Sequence, residues 1–266
     1  MYSRFILGIL MSVVFFSSSV LAQGKTNRPF TIKVMSYNIH HGNPPGKENI
    51  IDLDAIAKTI AASGAAIVAL QEVDVYTKRS NYINQAEILA KKLNMFVFFS
   101  KAIDFDGGEY GLAILSKFKI SDANFTSLSN IADSKTENRI LQWLTVNVSK
   151  GISFVFANTH LEVANTGNRP LQAKQIVEIA KQQKLPFILA GDWNATLKSE
   201  TLEILDTAFL RTCEMCPVTC PEDGVDGAID FIAFTKDAPY KTKSYTVFSD
   251  NYSSDHYPII AEIILK

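Results

Sequence analysis

The chain has 266 residues, 47% of them hydrophobic and 20% charged, which excludes a disordered protein and allows one large sandwich or barrel with a sizeable core. A formal net charge of −1 argues against the strongly basic face that grips a nucleic-acid backbone without sequence preference, though not against cleavage through bound cations.

Arg4, an apolar run over 5–16 and small residues ending at Ala22 predict a secretory signal over 1–22, cut after Ala22. The competing reading is a membrane anchor, for which the run falls short of the about 20 apolar residues a span needs. Cleavage removes Arg4 and no acid, leaving a formal net charge of −2. Residues 23–30 read as a linker and 31–266 as one domain, exported to the periplasm or the medium.

In chain order, Thr31–Tyr37 alternates like a strand and leads into Asn38, then His40, His41 and the loop Asn43-Pro44-Pro45-Gly46. Leu53, Ile56, Ala57 and Ile60 predict an amphipathic helix over 52–62, ended near Gly64. Ala66–Leu70 is an apolar strand followed at once by Gln71 and Glu72, the placement expected of a metal-binding carboxylate or of a solvated loop acid. A helix over 85–93 and a strand over 95–100 follow. Gly107 and Gly108 precede Glu109 and a strand over 112–115, and predict a tight turn or a close backbone approach. Arg139 stands just before a strand-like run in which Leu141, Trp143, Thr145 and Asn147 share parity.

Phe154–Ala157 is a strand leading into Asn158, His160 and Glu162. Residues 170–182 read as a helix burying Leu171, Ile176, Ile179 and Ala180. Phe187–Ala190 is a short strand buried on both faces, and Gly191 then allows a sharp exit. If the chain stays extended, Asp192 and Asn194 project to one side, where they could orient a water or a hard cation. A turn is the plainer reading of Asp-Trp-Asn. A short helix over 199–205 precedes Cys213, Cys216 and Cys220, which predict one disulfide and a remaining thiol; a zinc site lacks a nearby fourth ligand. Residues 227–234 form a strand with Asp230 inside an apolar run, where a buried acid needs a partner. Strands over 240–248 and 259–264 flank Asp255 and His256. The mixed rhythm of strands and helices fits two packed sheets with helices outside.

Five clusters of acid, amide or imidazole thus follow five strands: Asn38, Glu72, Asn158 with His160, Asp192 with Asn194, and Asp255 with His256. Strand ends gathered at one rim would surround a single cleft.

The segments SYNIHHG, LQEVD, GEYGLAILSK, NTHLE, GDWNA, IDFIAF and SDHYPI, in this order over 31–266, resemble the motif set of the endonuclease/exonuclease/phosphatase (DNase I-like) superfamily. The resemblance implies a four-layer α/β sandwich, two mixed β-sheets flanked by helices. It implies a Mg²⁺ or Mn²⁺ site at Asn38, Glu72 and Asp255. Asp192, held by Asn194, is implied to activate water. His256 and His160 are implied to bind the phosphate, His256 paired with Asp230 and His160 with Glu109. Arg139 and Asn158 are implied phosphate contacts. Trp193 departs from the Phe common at its position and is expected to repack beneath the site. The implied activity is hydrolysis of a phosphoric ester, a diester being favoured. Nucleic acid, a lipid headgroup and an inositol phosphate remain open as substrates, and a non-catalytic binding protein is the remaining alternative. No protein partner is inferred.

Overall fold

The computed structural model of the chain describes residues 30–131, 136–221 and 227–265, with Met1 and Gly224. The expected signal over 1–22 and linker over 23–30 lie outside the described residues, apart from Met1 and Phe30. No helix among the described residues is long and apolar enough to cross a membrane.

One six-stranded sheet contains β1 (Phe30–Asn38), β2 (Ile67–Val75), β3 (Phe96–Phe105), β4 (Gly108–Ser116), β11 (Tyr240–Val247) and β12 (Ile259–Leu265). Its order is β11-β12-β1-β2-β4-β3. The second contains β5 (Lys119–Ser127), β6 (Ile140–Ser149), β7 (Ile152–His160), β8 (Phe187–Asp192), β9 (Phe209–Arg211) and β10 (Asp230–Thr235), in the order β5-β6-β7-β8-β10-β9. Each sheet has one parallel pair near its centre, β1 with β2 and β7 with β8, and antiparallel neighbours elsewhere. Parallel neighbours need a crossover. α1 (Leu53–Ser63) lies on the first and α3 (Asn168–Lys181) on the second, while α2 (Gln85–Leu93) and α4 (Glu200–Ala208) complete the outer layers.

Side chains alternate across each strand, and this sorts the core into three layers. Between the sheets lie Ile32 and Val34, Ile67 and Ala69, Phe154 and Phe156, Ile188 and Ala190, and Ile232 and Phe234. The opposite faces of β1 and β2 pack Met35, Tyr37, Val68 and Leu70 against Ile56, Ile60 and Leu89. Those of β7 and β8 pack Val155, Ala157, Phe187 and Leu189 against Ile176 and Leu205. The result is the expected four-layer sandwich.

Local signals bound the helices, although α3 starts at Asn168, ahead of the expected Pro170, and α4 runs to Ala208, past the expected Leu205. Asp52 caps α1 through the N–H of Ala55, and Gly64 leaves it at φ 71°. Asn84 caps α2 through Glu87 N–H, and Ser199 caps α4 through Leu202 N–H. α3 differs from expectation in its buried face. Leu171 is exposed, and Gln172, Ala173, Ile176, Val177 and Ala180 face inward. Gln172 is half satisfied in that position: its carbonyl accepts the N–H of Glu162, and its amide nitrogen has no hydrogen-bond partner among the described residues. The disulfide joins Cys213 to Cys216 and leaves Cys220 outside it.

Candidate functional site

The inner-face rows continue past the apolar core to one rim. On β1 the row Ile32, Val34, Ser36 ends at Asn38. On β7 the row Phe154, Phe156, Asn158 ends at His160, and on β8 Ile188 and Ala190 lead to Asp192. The antiparallel β10 brings its first residue, Asp230, directly opposite Asp192, and the parallel β7 places His160 beside it. Strand alternation alone therefore delivers four polar side chains to the same end of the inter-sheet space.

Glu72 requires more. Parity on β2 points Gln71 inward, where its amide donates to Ser36 Oγ and Asn158 Oδ1, and it would turn Glu72 toward the helices. The strand instead bulges between Leu70 and Val73, and Glu72 takes a left-handed φ of 58°. A bulge re-aims a side chain, and a non-glycine residue in this region is conformationally costly. The re-aimed carboxylate accepts a hydrogen bond from Asn38 Nδ2 at 3.0 Å, and the same nitrogen donates to Asp192 Oδ2 at 3.2 Å. Asn38 Oδ1 accepts the N–H of His40, which leaves it a second lone pair, and Asn38 acts as the tie between two carboxylates.

Asp192 is the centre of the arrangement and is 1% exposed. Its Oδ1 accepts the N–H of Asn194, which has left extended geometry at φ 47° and sends its own amide to Leu161 O. The expected same-side projection of Asp192 and Asn194 is thus replaced by a turn in which the backbone of Asn194 holds Asp192. Oδ2 of Asp192 lies 3.6 Å from Nε2 of His160 and 3.7 Å from Nε2 of His256. His256 Nδ1 donates to Asp230 Oδ2 at 2.9 Å, giving the buried Asp230 its partner. The second oxygen, Asp230 Oδ1, is buried without a hydrogen-bond partner among the described residues.

The two imidazoles differ in charge. Burial works against the His256 cation, but Asp230 and Asp192 outweigh it and hold the pKa well above the ordinary value. Burial, then the neighbouring Arg139, push His160 down to about 3. Arg139 Nη1 lies 3.4 Å from His160 Nδ1, and a guanidinium only donates, so neutral His160 carries its proton on Nε2, facing Asp192. Burial, then Asp230, push Asp192 up to about 7. Burial opposes ionisation of Glu72 as well, yet His41, His160 and Asn38 hold it below the usual carboxylate range.

Three expected placements are corrected. Glu109 is not beside His160; it stands on the first-sheet hairpin, half-exposed, 3.6 Å from Lys101, because the position next to His160 is filled by Arg139. Asn158 does not face a phosphate. It is wholly buried, and its amide nitrogen donates to Leu70 O and Ala113 O, bridging the two sheets one layer beneath the rim. Arg139 is also buried, ion-paired with Glu137 at 3.1 Å and Glu162 at 3.6 Å, so it supports His160 from behind. Asp255 is at the rim, 3.9 Å from His40 and hydrogen-bonded to Ser254. Trp193 is fully buried and packs on Phe231 with ring centroids 4.8 Å apart.

His40 and His41 have no role in the motif reading of the sequence. His41 lies 3.9 Å from Glu72, and both histidines adopt φ 45°, an uncommon value that no residue pattern announces. Arg169 was also missed. It stands in the field of Asp192 and lines a cavity of about 680 Å³ that opens beside Asn194.

Ligand atoms of Asp192, Asp230 and His256 lie within 4.8 Å of one another. The His256 nitrogen facing Asp230 is engaged in their hydrogen bond, and Asp192 and Asp230 are buried, which leaves Glu72 and Asp255 as the partly exposed carboxylates at the rim. Oxygen donors of this kind fit a hard divalent cation.

The sequence profile of the Endonuclease/Exonuclease/phosphatase family matches residues 35–256. No curated protein matches the chain. Among solved structures, an endonuclease/exonuclease/phosphatase from Beutenbergia cavernae superposes with a TM-score of 0.73 at 19% identity, over 88% of this chain and 72% of that one. A family protein from Bacteroides thetaiotaomicron gives 0.72 at 20% identity, over 90% and 99%. A mannosyl-6-phosphatase from Bacteroides thetaiotaomicron gives 0.70 at 20% identity, over 88% and 100%.

Proposed function

This chain belongs to the endonuclease/exonuclease/phosphatase family, whose members hydrolyse phosphoric esters, and from that premise we propose that it is an exported, divalent-metal-dependent phosphodiesterase. The observation that carries the reading is Asp192 Oδ2, which meets Asn38 and faces the Nε2 atoms of both His160 and His256 within 3.7 Å. In the proposed reaction Asp192 orients a water and takes its proton as the oxygen attacks phosphorus in line with the leaving alkoxide. A pKa near the working pH suits that exchange. His256, kept cationic by Asp230, donates to a non-bridging phosphoryl oxygen, and neutral His160 donates through Nε2 without adding charge. Such fixed donors stabilise the charge that develops in the transition state. Glu72 and Asp255, with the second lone pair of Asn38 Oδ1, would hold Mg²⁺ or Mn²⁺, while Asn38 Nδ2 keeps Glu72 in place. When bound, the cation supplies Lewis-acid polarisation of the phosphoryl oxygen.

Charge supports a diester over a monoester. Four carboxylates, those of Glu72, Asp192, Asp230 and Asp255, occupy the site and outnumber the His256 cation and Arg169, while Arg139 is already paired with Glu137 and Glu162. A singly charged diester meets less repulsion there than a monoester dianion. The monoester reading stays in the test because one structural neighbour is a mannosyl-6-phosphatase.

The test is a Mg²⁺ and EDTA-controlled panel of bis-p-nitrophenyl phosphate, p-nitrophenyl phosphate, plasmid DNA, sphingomyelin and inositol phosphates. Asp192→Asn and His256→Ala are each expected to lose about 10²–10⁴-fold in turnover with the fold retained. Wild-type turnover in either purified variant refutes the assignment. Faster cleavage of the p-nitrophenyl monoester makes the protein a phosphatase. Export is tested by whether the secreted protein begins at Gln23.

A further inference from the structure

The segment TCEMCPVTC, conspicuous in the sequence, ends beside the Asp230–His256 pair. Cys213 and Cys216 are joined and packed into the core under α4, which anchors the start of the segment. Thr219 and Cys220 follow, both wholly buried, and the Cys220 side chain contacts the His256 imidazole. Thr219 Oγ1 accepts two backbone hydrogen bonds, from Ile229 N–H at 3.1 Å and Asp230 N–H at 3.2 Å. Its carbonyl accepts a third, from Tyr257 N–H at 2.6 Å. Asp230 and His256 come from different parts of the chain, a strand and a loop, and Thr219 grips the backbone of one and of the residue after the other.

We propose that Thr219 is a positioning residue for the Asp230–His256 pair, its hydroxyl and carbonyl oxygens setting the distance between that carboxylate and that imidazole. A hydroxyl oxygen has two acceptor lone pairs, so it can serve both N–H groups at once. The Ile229–Asp230 peptide is held from its other side as well, because Ile229 O accepts the N–H of Trp193, next to Asp192. A shift at Thr219 therefore moves Asp230 relative to both His256 and Asp192.

The inference rests on the hydrolase reading of the site, and its test separates the two. Thr219→Val keeps the shape and removes the acceptor; Thr219→Ser keeps the acceptor; Leu205→Ala is a core control that loosens the same half of the molecule. Kinetics on bis-p-nitrophenyl phosphate are read beside the low-field proton resonance of His256 Nδ1 in metal-free protein, which needs no turnover. Thr219→Val is expected to lose at least about tenfold in kcat with KM within about twofold, and to lose the resonance, while Thr219→Ser keeps both. Should the valine variant not fold, Thr219→Ala makes the same comparison. Retention of kcat and resonance in the acceptor-free variant overturns the proposal, as does a loss of kcat no larger than that of Leu205→Ala at equal loss of stability. If wild type cleaves no ester, the hydrolase reading falls, and the resonance alone decides whether Thr219 holds the pair.

Discussion

Replacing Asn158 by leucine keeps the branched outline of the side chain, at somewhat greater volume, and removes one amide from the middle of the molecule. In the wild-type chain that amide donates to Leu70 O at 2.8 Å and Ala113 O at 3.0 Å, and accepts from Gln71 Nε2 at 2.8 Å. Gln71 keeps its bond to Ser36 Oγ, so the main loss is the donor to two buried carbonyls. Each buried carbonyl left without its partner costs about 1–3 kcal/mol, so the two together come to about 2–6 kcal/mol. For a domain of this size that corresponds to a fall in Tm of roughly 4–24 °C. Thermal unfolding by circular dichroism measures it, with steady-state kinetics on the same preparation. KM is expected to stay within about twofold, because Asn158 lies a layer below the substrate. A variant that melts like wild type but has a raised KM would refute this reasoning and return Asn158 to the phosphate.

Glu72→Gln is expected to raise the Mg²⁺ concentration for half-maximal activity by at least about tenfold, and an unchanged metal titration removes Glu72 from the cation site. His160 has a folded pKa lowered to about 3, so it stays neutral in the fold while the unfolded chain takes up a proton below about pH 6.5. Its contribution to stability is full above that pH and is lost as pH falls toward 3; an imidazole NMR titration with a midpoint near 6.5 would contradict this. Gly191→Ala places a Cβ 2.1 Å from Thr159 O, which β7 and β8 can relieve only by separating. Loss of both Tm and activity is expected, and an unperturbed melt would show that the strands yield there at no cost.

Alternation made much of this molecule readable from residues alone. Asn38, His160, Asp192 and Asp230 sit in step with the apolar rows of their strands, so their convergence followed from parity. Glu72 broke step, and only its carboxylate after an apolar run pointed to it; the bulge that re-aims it leaves no mark in residue type. Asn158 shares the parity of His160 but lies two residues deeper, and that depth along the strand turned an expected ligand into a bridge. β5 went unread because its residues are largely polar and exposed, as befits an edge strand, and β9 is too short to carry a pattern. Thr219 carried no signal at all, since its role lies in backbone contacts with segments distant in sequence.

The pairing of β1 with β12 has a consequence for biosynthesis. A chain that leaves the ribosome amino end first exposes one side of β1 until residues 259–265 emerge, more than two hundred positions later. Unpaired strand edges recruit neighbouring chains, so the nascent protein stays open to aggregation until β12 has emerged. Premature stops ahead of Ile259 would yield sticky fragments rather than weakened enzymes.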